Sequence, residues 1–475
     1  MTVAVASSKR KASLSTAGQK RIIDRWFKID PDYSEADLGA NLLIPMLDEL
    51  GVGFENRKTA PSIGIASILK PDFLVYADLA EIPVLAIEIK KRVAALNDIA
   101  DKDFATHCQS HVLYREAFGC TNLNKNNNGI RQYLDIAKVK PEFLAPYGLI
   151  FNGDFFQLWR RVDGLVFPLT PIQKVSKTSL PKLLKQLQRC LQERPTALVT
   201  AVWNMKGGVA KTTNTINIAA TLALKGKRVL LIDLDPQGDL SHGIGFTAAN
   251  LPDYLTPVIK ELDLKEFSAA SAVLKSEIRS RSFLTTEKNN ISLFLLSTSK
   301  DVLEQFRDNP DVVPIKSFIG MIELLKPDYD YIFIDAAPTI DRLTQCVLYA
   351  CDHVLIPIDG DKAIRHALKI DQEVIPKFRD FRTARQLSYG PFNLGFVRSN
   401  WTAGENSSIE KAFDTKIARH NFSGIQYNTR LKQYSQTEMA ALKQIPVISW
   451  ENSPMTKLYS ALVNEVFLSH NFIGQ

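Results

Sequence analysis

The chain has 475 residues, of which 45% are hydrophobic and 23% are charged, and its formal net charge is +7 at pH 7. This composition is typical of a globular protein, and the length predicts two or three domains. No stretch reaches about 18 uninterrupted apolar residues, so the sequence predicts no membrane span.

The cysteine pattern indicates the redox environment. The five cysteines are an odd number and include no CxxC pair, which argues against a disulfide framework and against a zinc ribbon. The pattern therefore predicts a reducing, cytoplasmic environment. Cys346 and Cys351 fall on a predicted helix, where we interpret them as core residues and not as iron–sulfur ligands.

Positive charge is concentrated in the first part of the chain. Through Arg194 there are 27 Lys and Arg against 21 Asp and Glu, whereas the remainder has 31 against 30. Residues 1–18 are small, polar and basic, and they predict a disordered tail. The surplus is compatible with a nucleic-acid partner, and a solvated basic tail explains the "SKRK" segment equally well.

A first domain is predicted over residues 19–170, where helices and strands alternate. Within it, "KPDFLVYADLAEIPVLAIEIKK" contains two extended apolar runs. Asp72 opens the first run, and Glu88 and Lys90 share one face of the second because side chains alternate along a strand. Two carboxylates on neighbouring strands could bind a hard cation, and the lysine could orient or deprotonate a water. Two core strands with charged ends remain the alternative.

The same stretch resembles the PD-(D/E)xK nuclease motif, with Pro71-Asp72 followed by Glu88-Ile89-Lys90. With "SEADLGANLLIPMLDELG" upstream and "GLIFNGDFFQLWRR" downstream, the region is similar to the N-terminal nuclease domain of type I restriction-enzyme motor subunits. The resemblance implies a restriction-endonuclease-like mixed α/β domain that uses Mg²⁺ or Mn²⁺. It also implies catalysis by Asp72, Glu88 and Lys90, with Asp72, Glu88 and Glu35 as metal ligands.

Other residues of this domain have competing interpretations. Ser34 can cap a helix with Asp37 at the capping-box position, so Glu35 can also be an ordinary acid in a first helical turn. The resemblance assigns a helical glutamine to Gln109, although Tyr114 lies one residue farther on than the usual spacing. His107 and His111 are one helical turn apart, but the sequence provides no evident third metal ligand.

Residues 171–195 are predicted to form a linker and a helix. The segment "TPIQKVSKTSLPK" contains two prolines and many polar residues. Leucines follow at helical spacing, at Leu180, Leu183, Leu184, Leu187 and Leu191. We expect this helix to pack on one of the two domains or to form a dimer contact.

The second domain, residues 196–475, begins with "ALVTAVWNMKGGVAKTTNTINIAATLALKGKRVLLIDLD". An apolar strand, a glycine loop, a helix and a second apolar strand follow in the order that a P-loop requires. Gly207 and Gly208 let backbone N–H groups face phosphate oxygens, and the helix N-terminus adds its dipole. Lys211 would reach the β- and γ-phosphates, and the Thr212 hydroxyl would bind Mg²⁺.

The glycine loop resembles the deviant Walker A motif of the ParA/MinD family, "KGGxxK[ST][ST]". The resemblance implies ATP binding by Lys206, Gly207, Gly208, Val209, Ala210, Lys211, Thr212 and Thr213. It also implies a homodimer on ATP binding, in which the catalytic Lys206 reaches the nucleotide of the partner subunit. Ala210 stands where glycine is commoner in the family, and its β-carbon restricts φ.

Further family motifs occur in the expected order. In "LLIDLDPQGDLS", the resemblance implies that Asp235 orients the attacking water and that Asp233 lies near the magnesium. In "YDYIFIDAAPTIDRLT", Asp335 resembles a Walker B aspartate that holds Mg²⁺ through water. Asn400 ends "LGFVRSN", where it is either an adenine contact or a turn residue.

The remaining elements predict a mainly parallel sheet with helices on both faces. The tail "IPVISWENSPMTKLYSALVNEV" predicts a Pro-containing strand and a closing helix, without a basic amphipathic segment after it. This favours the DNA-binding branch of the family over the membrane-binding branch. Candidate cations for sequence-independent DNA phosphate contacts are Arg398, Arg430 and Lys432, each of which can also be a solvated surface residue.

Together these features predict a ParA-type ATPase coupled to a metal-dependent DNA endonuclease, in defence against foreign DNA. The alternative is a partition or positioning ATPase whose first domain only binds DNA. The expected partners are DNA, a second copy of the chain and a sensor encoded nearby. A metabolic or cofactor-insertion P-loop protein is disfavoured because metal-ligand cysteines are lacking.

Overall fold

The chain divides into two compact units. One comprises Met1–Pro195 together with Ser469–Ile473, and the other comprises Thr196–Leu468. The computed structural model describes residues 14–30, 32–59, 62–66, 68–77, 80–90, 92, 129–193, 196–247, 254–308, 315–385, 388–402, 407–419, 422, 424–450 and 453–473. Among these residues no helix has both the length and the apolar composition that a membrane crossing needs.

A mixed sheet organises the first unit. Its strands are β1 Arg57–Lys58, β2 Phe73–Tyr76, β3 Pro83–Ile89, β4 Tyr147–Phe151, β5 Phe155–Val162, β6 Leu165–Pro168, β7 Gln173–Lys174 and β16 Asn471–Phe472. The order is β1-β2-β3-β4-β5-β6-β16, with β7 paired to β5. The pairs β3–β4 and β16–β6 are parallel and the others are antiparallel. The unit is therefore mixed α/β, as expected.

The helices of the first unit are α1 Thr16–Trp26, α2 Glu35–Leu38, α3 Ile44–Glu49, α4 Ile130–Tyr133 and α5 Leu180–Gln192. Helix α1 starts inside the segment 1–18 that we expected to be disordered, because the Ser15 hydroxyl caps it by accepting from the Gly18 N–H at 3.0 Å. Residues 1–13 lie outside the described part.

Helix α5 packs within the first unit. Leu180, Leu183, Leu184 and Leu187 are fully buried in the same apolar cluster as residues of β3 and β4. Burying a leucine side chain contributes roughly 1.5–3 kcal/mol, so these four anchor the helix. The segment 171–195 thus belongs to the first unit, and its helix packs on one of the two domains, as expected.

The second unit contains an eight-stranded sheet. Its strands are β8 Leu198–Val202, β9 Val229–Leu234, β10 Arg279–Leu284, β11 Asn290–Ser297, β12 Tyr331–Ala336, β13 His353–Ile358, β14 Phe392–Trp401 and β15 Ile425–Lys432. The order is β10-β11-β9-β12-β8-β13-β14-β15, and only β10–β11 is antiparallel. The expected mainly parallel sheet is confirmed. Because its strands are parallel, the carboxyl ends of β8, β9, β12 and β13 meet at one edge.

Helices connect these strands. They are α6 Lys211–Leu224, α7 Asp239–Gly243, α8 Leu255–Asp263, α9 Phe267–Glu277, α10 Lys300–Asp308, α11 Ile315–Leu325, α12 Arg342–Ala350, α13 Asp361–Lys369, α14 Ile375–Ala384, α15 Ser408–Ala418, α16 Ser435–Leu442 and α17 Pro454–Val463. Strands β8, β9, β12 and β13 are buried along their whole length. Their near-continuous apolar sequence follows from burial on both faces.

Two features near the C-terminal end differ from expectation. The Pro-containing strand is instead a short 3₁₀ turn, Val447–Ser449. Pro446 has no N–H to donate, and the Val447 N–H donates to the Asn217 side chain at 2.8 Å, so neither joins a strand ladder. Strand β16 belongs to the first unit, where the Ile473 N–H donates to the Val166 carbonyl at 2.9 Å.

Candidate functional site: a phosphate-binding loop and a carboxylate cleft

The glycine loop lies between β8 and α6. Gly208 has φ 75° and Ala210 has φ 63°, so both adopt the left-handed conformation. Within the described part of the chain no side chain caps the start of α6, which leaves its first N–H groups available to an anion. Lys211 begins this helix and is buried. Burial lowers the pKa of its ammonium group, against the attraction of Asp335 and Asp235.

At the foot of the loop, the Thr212 hydroxyl donates to Asp335 Oδ2 at 2.5 Å. Asp335 Oδ1 is buried and has no hydrogen-bond partner in the described part of the chain. Burial, followed by the neighbouring charge of Asp233, raises the pKa of Asp335 to about 8. A hydroxyl beside an unpaired carboxylate oxygen fits a Mg²⁺ ion, which prefers few protein ligands together with phosphates.

Asp233 and Asp335 are in-register neighbours on β9 and β12. Asp233 Oδ2 accepts from the Ser241 N–H at 2.8 Å and from its hydroxyl at 2.6 Å, while Oδ1 accepts from the Asp235 N–H at 3.3 Å. Burial raises the pKa of Asp233 to about 6. Asp233 therefore anchors the loop after β9, and half-buried Asp235 follows that strand, at the edge where we expected it.

Lys206 forms an ion pair with Asp359, which directly follows β13. Sequence reasoning did not assign Asp359 a role, although its position after an apolar strand beside β8 was a usable signal. The Lys206 N–H donates to Asn204 Oδ1 at 3.0 Å, and Asn204 Nδ2 donates to the Pro357 carbonyl at 2.8 Å. The start of the loop is thus bound to the end of β13.

The other predicted nucleotide contacts also surround this loop. Val209 is fully buried, so only its backbone can face a phosphate. Thr212 and Thr213 line a cavity of about 270 Å³. Asn400 has φ 50°, is exposed, and donates from Nδ2 to the Gly208 carbonyl at 3.1 Å. The geometry places Asn400 beside the loop, while its contact with adenine stays a prediction.

A buried polar network behind α6 was missed at the sequence level. Asn214 Nδ2 donates to the Ser399 hydroxyl at 2.7 Å, and the Tyr459 hydroxyl donates to Asn214 Oδ1 at 2.9 Å. All three residues are buried, and their polarity inside apolar elements was the only available signal.

The predicted acids of the first unit converge at the ends of β2 and β3. Asp72 Oδ2 accepts from the Ile89 N–H at 2.6 Å, and Lys90 forms an ion pair with Glu88. Burial raises the pKa of Glu88 to about 7, although Lys90 opposes this shift. Burial also raises the pKa of Asp72. The Tyr133 hydroxyl, which was not predicted, faces Glu88 and donates to the Lys70 carbonyl at 3.0 Å.

Glu35 occupies the first turn of α2, where Ser34 and Asp37 form the expected capping box. Glu35 and Asp72 line one cavity of about 770 Å³. Within the described ranges, no group of three or more His, Cys, Asp or Glu side chains is arranged to hold a metal ion. Gln109, Tyr114, His107, His111, Cys108 and Cys120 lie outside those ranges.

The candidate DNA-binding cations differ in their availability. Arg398 is buried and forms an ion pair with Asp414, and Arg430 forms one with Glu410. Lys432 is exposed and lines a groove of about 660 Å³ that also contains Lys457.

Cys346 and Cys351 are fully buried core residues, as expected, and burial raises the pKa of each thiol to about 12.

Comparisons with known proteins bear on the second unit. The family model described as AAA domain matches residues 197–382. Sporulation initiation inhibitor protein Soj of Bacillus subtilis is 32% identical over 161 residues, which cover 34% of this chain and 57% of that protein. The chain thus spans little more than half the length of several curated relatives that it matches.

A longer match is to the chromosome-partitioning ATPase Soj of Treponema pallidum. It is 34% identical over 269 residues, which cover 55% of this chain and 94% of that protein. Among solved structures, Cyanthece apo McdA aligns with a TM-score of 0.43 and 17% identity, covering 57% of this chain and 99% of that one. With the glycine loop, Thr212 and Asp335 in place and a relative matched over nearly its whole length, the chain belongs to the ParA/Soj family of P-loop ATPases.

Proposed function

We propose that the chain is an ATPase that dimerises around ATP, binds DNA largely without sequence preference, and acts in partition or positioning. The observation that carries this proposal is the Thr212–Asp335 pair beside the start of α6. Among the described residues, the other Asp335 oxygen has no hydrogen-bond partner and no side chain caps that helix. Family membership supports the same activity.

In this mechanism the N–H groups of the loop and Lys211 bind the phosphates. Thr212 and Asp335 would hold Mg²⁺, which supplies charge neutralisation at the transferring phosphoryl group. Asp235, which follows β9, would orient the attacking water. Lys206 would neutralise charge on the nucleotide of the partner subunit.

The test is ATP hydrolysis with Mg²⁺, together with the molar mass of the protein with and without ATP. We expect the wild type to hydrolyse ATP and to form an ATP-dependent dimer. Lys211→Ala should lose nucleotide binding, and Asp235→Ala should bind ATP and dimerise but hydrolyse at least about 100-fold more slowly. Wild-type turnover by Asp235→Ala would contradict the assignment of this residue.

DNA cleavage by the first unit is the second candidate function. It is favoured by the convergence of Asp72, Glu88 and Lys90 at adjoining strand ends, with a Glu88 carboxyl whose pKa is raised to about 7. Asp72 and Glu88 would hold Mg²⁺ or Mn²⁺ together with phosphate and water oxygens, and Lys90 would orient or deprotonate a water. Glu35 lines the same cavity as Asp72. An endonuclease coupled to an ATP-dependent dimer would suit defence against foreign DNA.

Plasmid incubation with Mn²⁺ or Mg²⁺, with and without ATP, distinguishes DNA cleavage by the first unit from DNA binding without cleavage. If the first unit cleaves DNA, the wild type and the exposed-acid control Glu81→Gln should nick the plasmid, and Asp72→Ala should be inactive. Cleavage by Asp72→Ala at the wild-type rate would eliminate the nuclease assignment. DNA binding without cleavage by the wild type would favour a first unit that only binds DNA.

A further inference from the structure

Lys206 is expected to reach the nucleotide of the partner subunit, but here it forms an ion pair with Asp359 of its own chain. The two residues are 153 positions apart in the chain. Their side chains are 28% and 14% exposed, respectively, so the pair is partly withdrawn from water. Lys206 lies in the loop after β8, and Asp359 follows the neighbouring parallel strand β13.

The surrounding structure makes Asp359 dependent on Lys206. Asp359 Oδ1 is buried and has no hydrogen-bond partner in the part of the chain that the structure describes, so Lys206 contacts the other oxygen. Asn204 accepts from the Lys206 N–H and donates to the Pro357 carbonyl, so it fixes the start of the loop beside the end of β13, where Asp359 lies. Removing Lys206 would leave a partly buried carboxylate without its cation, which is unfavourable.

The neighbouring acid does not share this role. Asp361 forms ion pairs with Arg365 and Lys416, and its side chain is 60% exposed. Asp359 and Asp361 both line a cavity of about 270 Å³ beside α13. Asp361 therefore provides a matched control with the same charge, in the same cavity, without a contact to Lys206.

We propose that Asp359 holds Lys206 within its own subunit and thereby sets the ATP concentration at which the dimer forms. The inference rests on the proposed ATP-dependent dimer. Lys206 cannot pair with Asp359 and reach across to the nucleotide of the partner subunit at the same time. In a symmetric dimer the Lys206–Asp359 pair must break in both subunits, so its free-energy cost is incurred twice. The ATP phosphates must therefore compete with the Asp359 carboxylate for each Lys206.

The first experiment measures the ion pair without nucleotide and without dimerisation. Acetylation of the Lys206 amine by acetic anhydride is followed by peptide mass spectrometry, with Lys211 as the internal reference. We expect Asp359→Asn to accelerate acetylation of Lys206 about threefold or more relative to Lys211, because the ion pair with Asp359 holds the Lys206 amine in place and limits its encounter with the reagent. Asp361→Asn should leave the ratio unchanged. An unchanged ratio in Asp359→Asn overturns the inference by itself.

The second experiment titrates ATP against dimer fraction by light scattering, with Asp235→Ala in every sample to block turnover. We expect Asp359→Asn and Asp359→Ser to lower the half-maximal ATP concentration about tenfold, equivalent to 1.4 kcal/mol, and Asp361→Asn to match its parent. An unchanged or higher midpoint in both Asp359 variants overturns the inference while the ATP dimer stands. If the parent does not dimerise, the proposed function fails first, and this inference fails with it.

Discussion

Replacing Asp335 by Asn should stabilise the nucleotide-free protein while abolishing its response to Mg²⁺ and ATP. Asp335 is 1% exposed and lies beside Asp233, which is 0% exposed. Burial and the Asp233 charge raise the pKa of Asp335 to about 8, whereas an aspartate in the unfolded chain has a pKa of about 3.9. The Asn amide keeps the acceptor for Thr212 and removes the buried charge.

The sign and the size of the effect follow from this shift. A carboxyl whose folded pKa is raised costs nothing below pH 4, where it is protonated in both states, and destabilises the fold increasingly as pH rises to 8. A shift of about four pH units is worth up to about 6 kcal/mol. Relaxation and water entry reduce such penalties, so we expect Asp335→Asn to raise the free energy of unfolding by about 2–3 kcal/mol at pH 8.

Thermal denaturation from pH 5 to pH 8.5 measures this prediction, with the surface variant Asp328→Asn as control. At pH 8 and without nucleotide, Asp335→Asn should melt roughly 3–6 °C above the wild type, and the gain should shrink toward pH 5. With Mg²⁺ and ATP the order should reverse, because a bound ligand stabilises only the protein that retains its site. A lower melting temperature at pH 8, or a gain equal at pH 5 and pH 8, would refute the buried-charge argument.

Three further predictions concern Ala210, Glu88, and the pair of cations Lys432 and Arg398. Ala210→Gly should relieve left-handed strain and raise the free energy of unfolding by about 0.5 kcal/mol in urea denaturation, since strain relief of about 1 kcal/mol exceeds the added chain entropy; a decrease would contradict this. The affinity of the first unit for Mn²⁺, measured by calorimetry, should rise about tenfold per pH unit below pH 7 and level off above pH 7. The reason is that Glu88, whose pKa is raised to about 7, must lose its proton to bind the metal. A pH-independent affinity would exclude Glu88 as a ligand. Lys432→Ala should reduce the salt dependence of DNA binding by about one unit of slope without changing stability. Arg398→Ala should lower stability, because it removes a buried side chain that lies over the rings of Trp401 and Phe413; a loss of stability in Lys432→Ala, or unchanged stability in Arg398→Ala, would contradict these assignments.

The phosphate-binding loop could be read from the sequence because its parts are contiguous. The local conformation of the contiguous strand, glycine loop and helix positions Lys211 and Thr212 at the start of the helix, so their placement does not depend on residues far away in the chain. Asp335 was also predictable, because a parallel sheet brings the carboxyl ends of its strands to one edge. The capping box at Ser34 and the buried state of Cys346 depended equally on local pattern.

Other features depended on partners far away in the chain. Arg398 and Arg430 were candidates for DNA contacts, but the fold brings Asp414 and Glu410 to them. The leucine-rich helix predicted within 171–195 was expected to pack on one of the two domains or on a second copy, and only the fold shows that it completes the core of the first unit. Charge and periodicity along a sequence show that a side chain needs a partner, but they do not show which partner it finds.

The sequence by itself determined the phosphate-binding loop, its strand-ending aspartates and the apolar strands of a parallel sheet, because these are encoded over short, contiguous stretches. Only the tertiary structure decided that Lys206 meets Asp359, that Tyr133 faces Glu88, and that Asn471–Phe472 complete the sheet of the first unit. Each of these contacts joins residues at least 45 positions apart, and chain folding, not local propensity, brings such residues together.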